Sequence, residues 1–491
     1  MKNFFNIPKE VLAVAEKLEN ESFEAYLIGG CVRDMFLQKS PKDWDITTNA
    51  TPEEIQKIFP DSFYENSFGT VGVKVDTTDE TLQVIEVTPY RIEGKYTNNR
   101  HPDEVRFSKN LSDDLKRRDF TVNALALRVR GEEIEVVDEF GGKSDLQKGI
   151  LRTVGLPSAR FEEDGLRILR AVRLSAQLQF EIDPETEMGI VECGHLLQNI
   201  SAERIRDEFV KIIMSKDPEK GIKSLRKFGI LKFILPELEE GIGATQNKAH
   251  MYDVFEHLVK TLAFSASKEF PLETRLAALL HDIGKPATRR FSPEKKEYTF
   301  YGHEVVGARM AKKILTRLKF PLGVVERVTS LVRWHMFFSD TETITLSAVR
   351  RMIQNVGKDQ IWTLMDVRAC DRIGTGRPKE APFRLRKYHA MIEEALRDPV
   401  SVSQLKVDGK DLMTVLGTPP GKHIGYILHA LLEEVLDDPK KNTKEYLENR
   451  AKELCKLPEN ELKFLGEKGK EKKEEEDEKL VASIRKRHFV E

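Results

Sequence analysis

The apolar residues of this chain change their period once, and that change sets the architecture. Up to about residue 150, short alternating stretches interleave with short helical ones. From about residue 160 onward, apolar residues recur at i, i+3 and i+4 with few strand candidates. The first part reads as a small α/β domain. "EAYLIGG" is a strand ending in a glycine turn, "CVRDMFLQ" opens a helix and "WDITT" is a further short strand. "TPEEIQKIF" is a helix with Thr51 as N-cap and acids in its first turn. "TVGVKVDTT" and "LQVIEVTPYR" alternate as a hairpin or neighbouring strands. The fold class is therefore α+β, with an all-helical remainder. Breaks at "EEGIGATQNKAH" and "GTGRPKEAP" divide that remainder, which gives regions 1–150, 151–244, 245–380 and 381–491. The last region carries "GEKGKEKKEEEDEK", a mixed-charge run that is either a solvated helix or partly disordered, with disorder the favoured expectation.

A hydrophobic content of 40% is ample for several cores, and a net charge of −2 exerts no global pull on nucleic acid. Any polyanion site must then be a local basic patch. The four cysteines, Cys31, Cys193, Cys370 and Cys455, have no CxxC spacing, which fits a reducing compartment. The first twenty residues read as an amphipathic helix and not as a signal peptide. No apolar run approaches the roughly 18 residues of a membrane span. These features describe a soluble, cytoplasmic protein with no membrane partner.

The chemistry concentrates in "GGCVRDMFLQKSPKDWDI". If "KDWDI" is extended, Asp43 and Asp45 aim their carboxylates at one point while Trp44 faces the core. Two hard oxygen ligands suit Mg²⁺, whose shell is completed by water and substrate phosphates. The glycines upstream let backbone approach a phosphate, the following helix start adds N–H groups, and Arg33 adds a planar cation. Glu86 interrupts an otherwise apolar strand, so it is either a third metal-site acid or the buried partner of an arginine.

These residues resemble the class II nucleotidyltransferases of the polymerase-β-like superfamily, which holds CCA-adding tRNA nucleotidyltransferases and bacterial poly(A) polymerases. The likeness covers roughly residues 20–240, through "LIGGCVRD", "KDWDITTNATPEEI", "DLKRRDFTVNALAL", "EDGLRILRAVRLSAQLQF" and "SAERIRDEFVKII". It implies a polymerase-β-like head followed by an all-α neck. It also implies that Asp43, Asp45 and Glu86 form the catalytic acids around Mg²⁺. Gly30, Arg33, Arg118, Asp119 and Asn123 would then surround the incoming nucleotide. Asp164, Arg167, Arg170 and Arg173 stand three residues apart and are read as one polar stripe on a single helix. By the same likeness Asp164 and Arg167 select CTP and then ATP through the base edge, while Arg170 and Arg173 serve phosphates. Leu174–Ser175 departs from the Phe–Ala expected there. "GKYTNNRHPDEV" resembles the loop implicated in switching from C to A addition, with Asn99 where an acid is expected before Arg100.

A second constellation follows. His257, the adjacent His281 and Asp282, then His303, His335 and Asp371 occur in the order of the HD metal-dependent phosphohydrolases, including their dinuclear versions. The implied function is CCA addition to the tRNA 3′ end from CTP and ATP without a nucleic-acid template, with a phosphohydrolase site and a second divalent metal. Poly(A) addition, A-only or CC-only addition, and an RNA-binding protein with inactive sites are the competing readings. A further one makes the hydrolase primary. The 381–491 tail has basic residues that suit a tRNA backbone or simple solvation equally.

Overall fold

A computed structural model describes the chain except for residues 1–4, 66–68, 94–104, 132, 247–250, 337–343, 398–401 and 491. The "GKYTNNRHPDEV" loop thus lies almost wholly outside the described residues. Two compact units emerge, one of residues 1–335 with 366–378, the other of 336–365 with 379–491.

The first unit begins with helix α1 (Lys9–Asn20), whose Val11, Val14, Ala15 and Leu18 form one buried stripe. Strand β1 (Ala25–Ile28) is buried at all four positions, as a central strand must be. Gly29, at φ 81°, turns the chain into helix α2 (Gly30–Phe36). Strand β2 (Asp45–Thr48) leads to α3 (Pro52–Ile58), which Thr51 and Glu54 close with a reciprocal capping box. Strands β3 (Ser62–Tyr64), β4 (Val71–Lys74) and β5 (Val84–Pro89) form an antiparallel run. A separate pair, β6 (Arg91–Glu93) and β7 (Val105–Phe107), precedes α4 (Leu111–Lys116). Strands β8 (Ala126–Arg130) and β9 (Glu133–Val137) complete the main sheet, and α5 (Gly142–Lys148) follows.

The seven strands lie in the order β3-β4-β5-β2-β1-β8-β9, and among the described pairings of this sheet β2 with β5 alone is parallel. That pair decides where chemistry can occur. Along β5, Ile85 and Val87 are fully buried, whereas Glu86 and Thr88 point to the other, half-open face. Parallel register sets Asp45 opposite Glu86. The sheet therefore presents its acids from two adjacent strands on one face.

The neck begins with β10 (Ile150–Leu151), then α6 (Pro157–Glu163) and α7 (Leu166–Leu178). Strand β11 (Glu181–Ile182) pairs with β10, and α8 (Pro184–Cys193), α9 (Ala202–Ile213), α10 (Pro218–Lys227) and α11 (Pro236–Glu239) follow. Helices α12 (Val254–Ser267), α13 (Leu272–Leu280) and α14 (Lys285–Thr288) lead to a hairpin of β12 (Arg290–Ser292) and β13 (Glu297–Thr299). The antiparallel helices α15 (His303–Arg317) and α16 (Leu322–Trp334) end this stretch.

In the second unit, α17 (Leu346–Val356) precedes α18 (Ile361–Gly374), whose final turns belong to the first unit. Helices α19 (Phe383–Leu396), α20 (Gly409–Leu416), α21 (Lys422–Asp437), α22 (Lys444–Leu454) and α23 (Glu459–Arg487) complete it. The mixed-charge run expected to be partly disordered lies inside α23. Composition alone misses the reason, which is a narrow seam. A Cβ at Gly466 would meet the Cα of Tyr426 at 2.7 Å, and one at Gly469 the carbonyl of His429 at 2.2 Å. Two helix backbones can approach this closely only over glycine. Leu462 and Ile484 are buried, and Lys468–Glu433 and Lys472–Asp437 ion pairs flank the seam. Among the described residues, no helix is long and apolar enough to cross a membrane.

Candidate functional sites

Strand β2 starts at Asp45, so Asp43 lies in the bend before it and not in the strand. This corrects the expectation that strand alternation aims the two aspartates. Their proximity shows instead in the charge coupling between them. Trp44, 4% exposed, anchors the intervening residue, a burial that stabilises by about 2–3 kcal/mol.

Burial pushes the acid of Asp45 above its ordinary value. Arg118 opposes this, and the neighbouring Asp43 and Glu65 add to it. Burial likewise lifts Glu86 to about 7, helped by Asp45, Glu65 and Asp43. Glu65, an exposed residue at the end of β3, was not visible as a site residue because nothing in "FYENS" marks it. One mutual interaction thus links four carboxylates, and among the described residues Arg118 is the cation that opposes it at Asp45. That crowding is what a divalent cation relieves, and the hard oxygen donors suit one. The three sequence-selected acids do not by themselves converge on a single coordination sphere. Among the described residues, both side-chain groups close enough to share one ion lie in the helical body.

Gly29 is more constrained than the expected Gly30. A Cβ on Gly29 would sit 3.0 Å from Arg118 Nη1 and 3.5 Å from Asp45 Oδ2, at a φ that side chains avoid. Gly30 begins α2, and a Cβ there would meet only Arg33 at 3.7 Å. Asp114, fully buried and unnoticed in the sequence, positions the arginine pair. Its Oδ1 accepts from Arg117 Nε at 2.9 Å and its Oδ2 from Arg118 Nη2 at 3.1 Å. Although burial raises its acid, those two guanidiniums bring it below the usual range.

A second chain of polar contacts joins the head to the neck. Arg33 Nη1 donates to Asn123 Oδ1 at 2.8 Å, and Asn123 Nδ2 donates to Asp119 Oδ1 at 3.1 Å. Arg170 Nε donates to Asp119 Oδ2 at 2.8 Å. Burial alone would push the Asp119 acid up, but Arg170, Asn123 and Arg167 hold it far below the carboxylate range. Arg33, Asn123, Asp119 and Arg170 therefore form one continuous array.

The arginine comb is only partly as expected. Arg167, Arg170 and Arg173 lie on α7, but Asp164 does not. Its backbone is extended (φ −142°, ψ 104°), and its Oδ1 accepts from the Leu166 N–H at 3.0 Å. That side chain-to-backbone bond competes with helix continuation and delays the helix to Leu166. Asp164 Oδ2 accepts from Arg204 of α9 at 2.7 Å, a partner that the sequence reading missed. Arg167 donates to the Arg117 carbonyl at 3.0 Å and pairs with Glu163 at 2.5 Å. Arg173 is directed at the buried Glu208 at 2.9 Å.

The histidine–aspartate constellation converges in the helical body. His257 comes from α12, His281 and Asp282 from the end of α13, His303 from the start of α15, His335 from the end of α16 and Asp371 from α18. Two groups result: His257, His281, Asp282 and Asp371, and then Asp282, His303 and His335. Asp282 belongs to both. Its Oδ2 stands 3.2 Å from the Nε2 of His257 and of His281, and its Oδ1 3.1 Å from His303 Nε2 and 3.4 Å from His335 Nε2.

The ring nitrogens explain the fit to a metal. His281, His303 and His335 place Nδ1 2.7–2.9 Å from the carbonyls of Ala278, Phe300 and Val332. An Nδ1–H donated there leaves the Nε2 lone pair free to ligate. The Nε2 atoms of His257 and His281 face each other at 3.0 Å, and those of His303 and His335 at 3.3 Å. Lone pairs converging this closely call for a cation between them. Lys285 beside this cluster is only 6% exposed. Its Nζ sits 2.6 Å from both Asp282 Oδ2 and Gln246 Oε1.

The chain matches three described families in order: the poly A polymerase head domain over 25–152, the "Probable RNA and SrmB- binding site of polymerase A" over 179–242, and the HD domain over 249–375. It is 34% identical over 419 residues to an A-adding tRNA nucleotidyltransferase of Deinococcus radiodurans, covering 83% of this chain and 91% of that one. It is 31% identical to a CCA-adding enzyme of Ligilactobacillus salivarius, covering 91% and 98%. The solved CCA-adding enzyme of Bacillus stearothermophilus in complex with CTP matches at TM-score 0.59 and 26% identity, covering 91% of this chain and 96% of that one.

Proposed function

The chain belongs to the family of CCA-adding and A-adding tRNA nucleotidyltransferases, and from that membership we propose that it rebuilds tRNA 3′ ends, adding C, C and A from CTP and ATP. The observation that carries this reading is the parallel pairing of Asp45 with Glu86 beside Arg118. Region 1–150 serves as catalytic head, 151–244 as nucleotide-selecting neck, 245–380 as the HD region and 381–491 as a tail that meets tRNA. On this reading the reaction runs in the cytoplasm.

The 3′ oxygen of tRNA attacks the α-phosphorus of the bound nucleotide, the bond to the β-phosphate oxygen breaks and pyrophosphate leaves. Asp43 and Asp45 would hold Mg²⁺, which supplies charge stabilisation for attacking and leaving oxygens. Glu86, the register partner of Asp45, would join them as the third acid of the site. Arg33, Asn123, Asp119 and Arg170 form a fixed array for triphosphate and sugar, to which Arg118 adds charge. Asp164 and Arg167, pinned by Arg204 and Glu163, keep a carboxylate and a guanidinium in fixed relation for reading a base edge. Arg173, paired with Glu208, supports the neck more than it serves phosphate. The HD cluster hydrolyses phosphate esters of nucleotides or RNA ends, and a divalent ion held there would activate the attacking water.

Adding CTP, ATP or both to tRNA lacking CCA, and resolving products by single nucleotides, tests the reading. Three added nucleotides followed by arrest are expected. The 34% identity to an A-adding relative supports a second reading, under which only tRNA already ending in CC is extended, by a single A. Long A tails on unrelated RNA would mean poly(A) addition. Asp43→Asn with Asp45→Asn should reduce incorporation by at least roughly a hundredfold and leave phosphatase activity intact. Full incorporation by that variant overturns the assignment of the acids.

A further inference from the structure

Between Asp282 and His303 the chain leaves the helical body as the β12–β13 hairpin, paired Arg290 with Thr299, Phe291 with Tyr298 and Ser292 with Glu297. Its root is built into the histidine–aspartate cluster. The Phe300 carbonyl lies 2.7 Å from His303 Nδ1, the Phe300 ring lies 5.6 Å from Lys285 Nζ, and Lys285 contacts Asp282. A two-stranded sheet builds no core of its own, and this one bears aromatic rings in solvent. Phe291 is 57% and Tyr301 75% exposed.

Cations interleave with those rings. The Arg289 guanidinium lies 3.7 Å from the centre of the Tyr298 ring, and Phe291 meets Tyr298 edge-on at 5.5 Å. Lys295 Nζ donates to the Tyr301 hydroxyl at 2.8 Å and lies 5.5 Å from its ring. From residue 289 to 301 the segment holds four cations, Arg289, Arg290, Lys295 and Lys296, against the acids Glu294 and Glu297. Exposed aromatic faces among cations suit unpaired bases that stack while phosphates meet charge. A duplex hides its base faces, and an acidic peptide gives the rings nothing to stack on.

We infer that this hairpin grips the unpaired 3′ end of an RNA and delivers its terminal phosphate to the histidine–aspartate cluster. The inference rests on the phosphohydrolase reading of that cluster. It adds the surface that holds the RNA end.

The test uses the full chain, a short RNA ending in a 3′-phosphate or a 2′,3′-cyclic phosphate, and p-nitrophenyl phosphate as a small ester. The double variant Phe291→Ala, Tyr301→Ala should raise KM for the RNA by about tenfold or more, with the small ester hydrolysed at its original rate. An RNA carrying 5-iodouridine next to its end should photocrosslink to Phe291 or Tyr301, and Arg290→Glu with Lys296→Glu should suppress that crosslink. Crosslinks at the hairpin without any hydrolysis would sink the phosphohydrolase reading and leave the grip standing. Crosslinks only elsewhere, or equal losses on RNA and small ester, would overturn the inference.

Discussion

Asp45 and Glu86 are register partners on two parallel strands, so their carboxylates lie side by side on one face of the sheet. Neither can move away without breaking the ladder. The backbone thereby enforces a repulsion that only a cation or a proton removes.

That repulsion has a measurable sign. Burial and Asp45 raise the Glu86 acid from 4.5 to about 7, so the folded protein holds this proton more tightly than the unfolded chain does. The associated stability is fully present below pH 4.5 and is eroded as pH rises through about 7. Glu86 is partly exposed, so solvent screening cuts the effect to about 1 kcal/mol. In metal-free protein at pH 8, Glu86→Gln should therefore raise Tm by roughly 1–2 °C, the entropy of unfolding being spread over so large a unit, while abolishing nucleotide addition. Thermal melts with chelator, at pH 5 and pH 8, check this, and an unchanged Tm at pH 8 counts against the coupling.

Asp119 is the buried centre of the Arg33–Asn123–Asp119–Arg170 array. Asp119→Ala strands the Arg170 guanidinium, whose partial exposure softens the loss, and should cost about 1–2 kcal/mol. Asp119→Asn keeps an acceptor and should cost less. Denaturant melts give the ordering, and nucleotide titration should show both variants binding CTP and ATP more weakly. Equal stability of wild type and Asp119→Ala would show the array to be dispensable.

Which parts of this were legible depended on how local the cause was. The strand–glycine–helix entry around Gly29, the capped helix at Thr51 and the β4–β5 pairing follow from residues close in sequence. The six residues of the histidine–aspartate cluster were legible as types in order, though only the fold brings them together. Long-range partners carried no local signal. Asp114 looks like any helical acid, Glu65 like a loop acid, and Arg204 like one more surface arginine, until packing sets each beside its partner. Asp164 was misplaced because three-residue spacing continues across a helix start. The charged run in α23, open in sequence between a solvated helix and disorder, is helical here, and two glycines, normally breakers, permit its packing.

In the second unit, His389 is held as neutral imidazole. Burial, then the nearby His488, lowers it from 6.5 to about 4. Its ring meets Trp362 at 5.8 Å and His488 at 6.1 Å, and His488 in turn contacts Glu393 at 2.8 Å. A base held below its ordinary value binds protons less in the folded state, so its stability is present above pH 6.5 and is lost as pH falls toward 4. After discounting for partial exposure, about 1–2 kcal/mol should disappear across that window. His389→Gln should flatten it. Hydrogen exchange in the last turns of α23, at pH 7 and pH 4.5, reads the change, and equal protection at both would refute it.

Asp282 gives one oxygen to each of two ligand groups, whereas His335 belongs to only one of them. The two residues should consequently fail differently. Asp282→Asn should weaken divalent-ion binding at both groups, by at least about a hundredfold, since changes to mere supporting partners already reach 10–100-fold. His335→Ala should spare the group of His257, His281, Asp282 and Asp371. The measurement is metal content after dialysis, by elemental mass spectrometry, in a chain also carrying Asp43→Asn and Asp45→Asn so that the head contributes nothing. Because bound metal stabilises only the folded state, chelation should lower Tm in wild type and less so in Asp282→Asn. If both variants lose the same amount of metal, the cluster holds a single ion and Asp282 does not bridge.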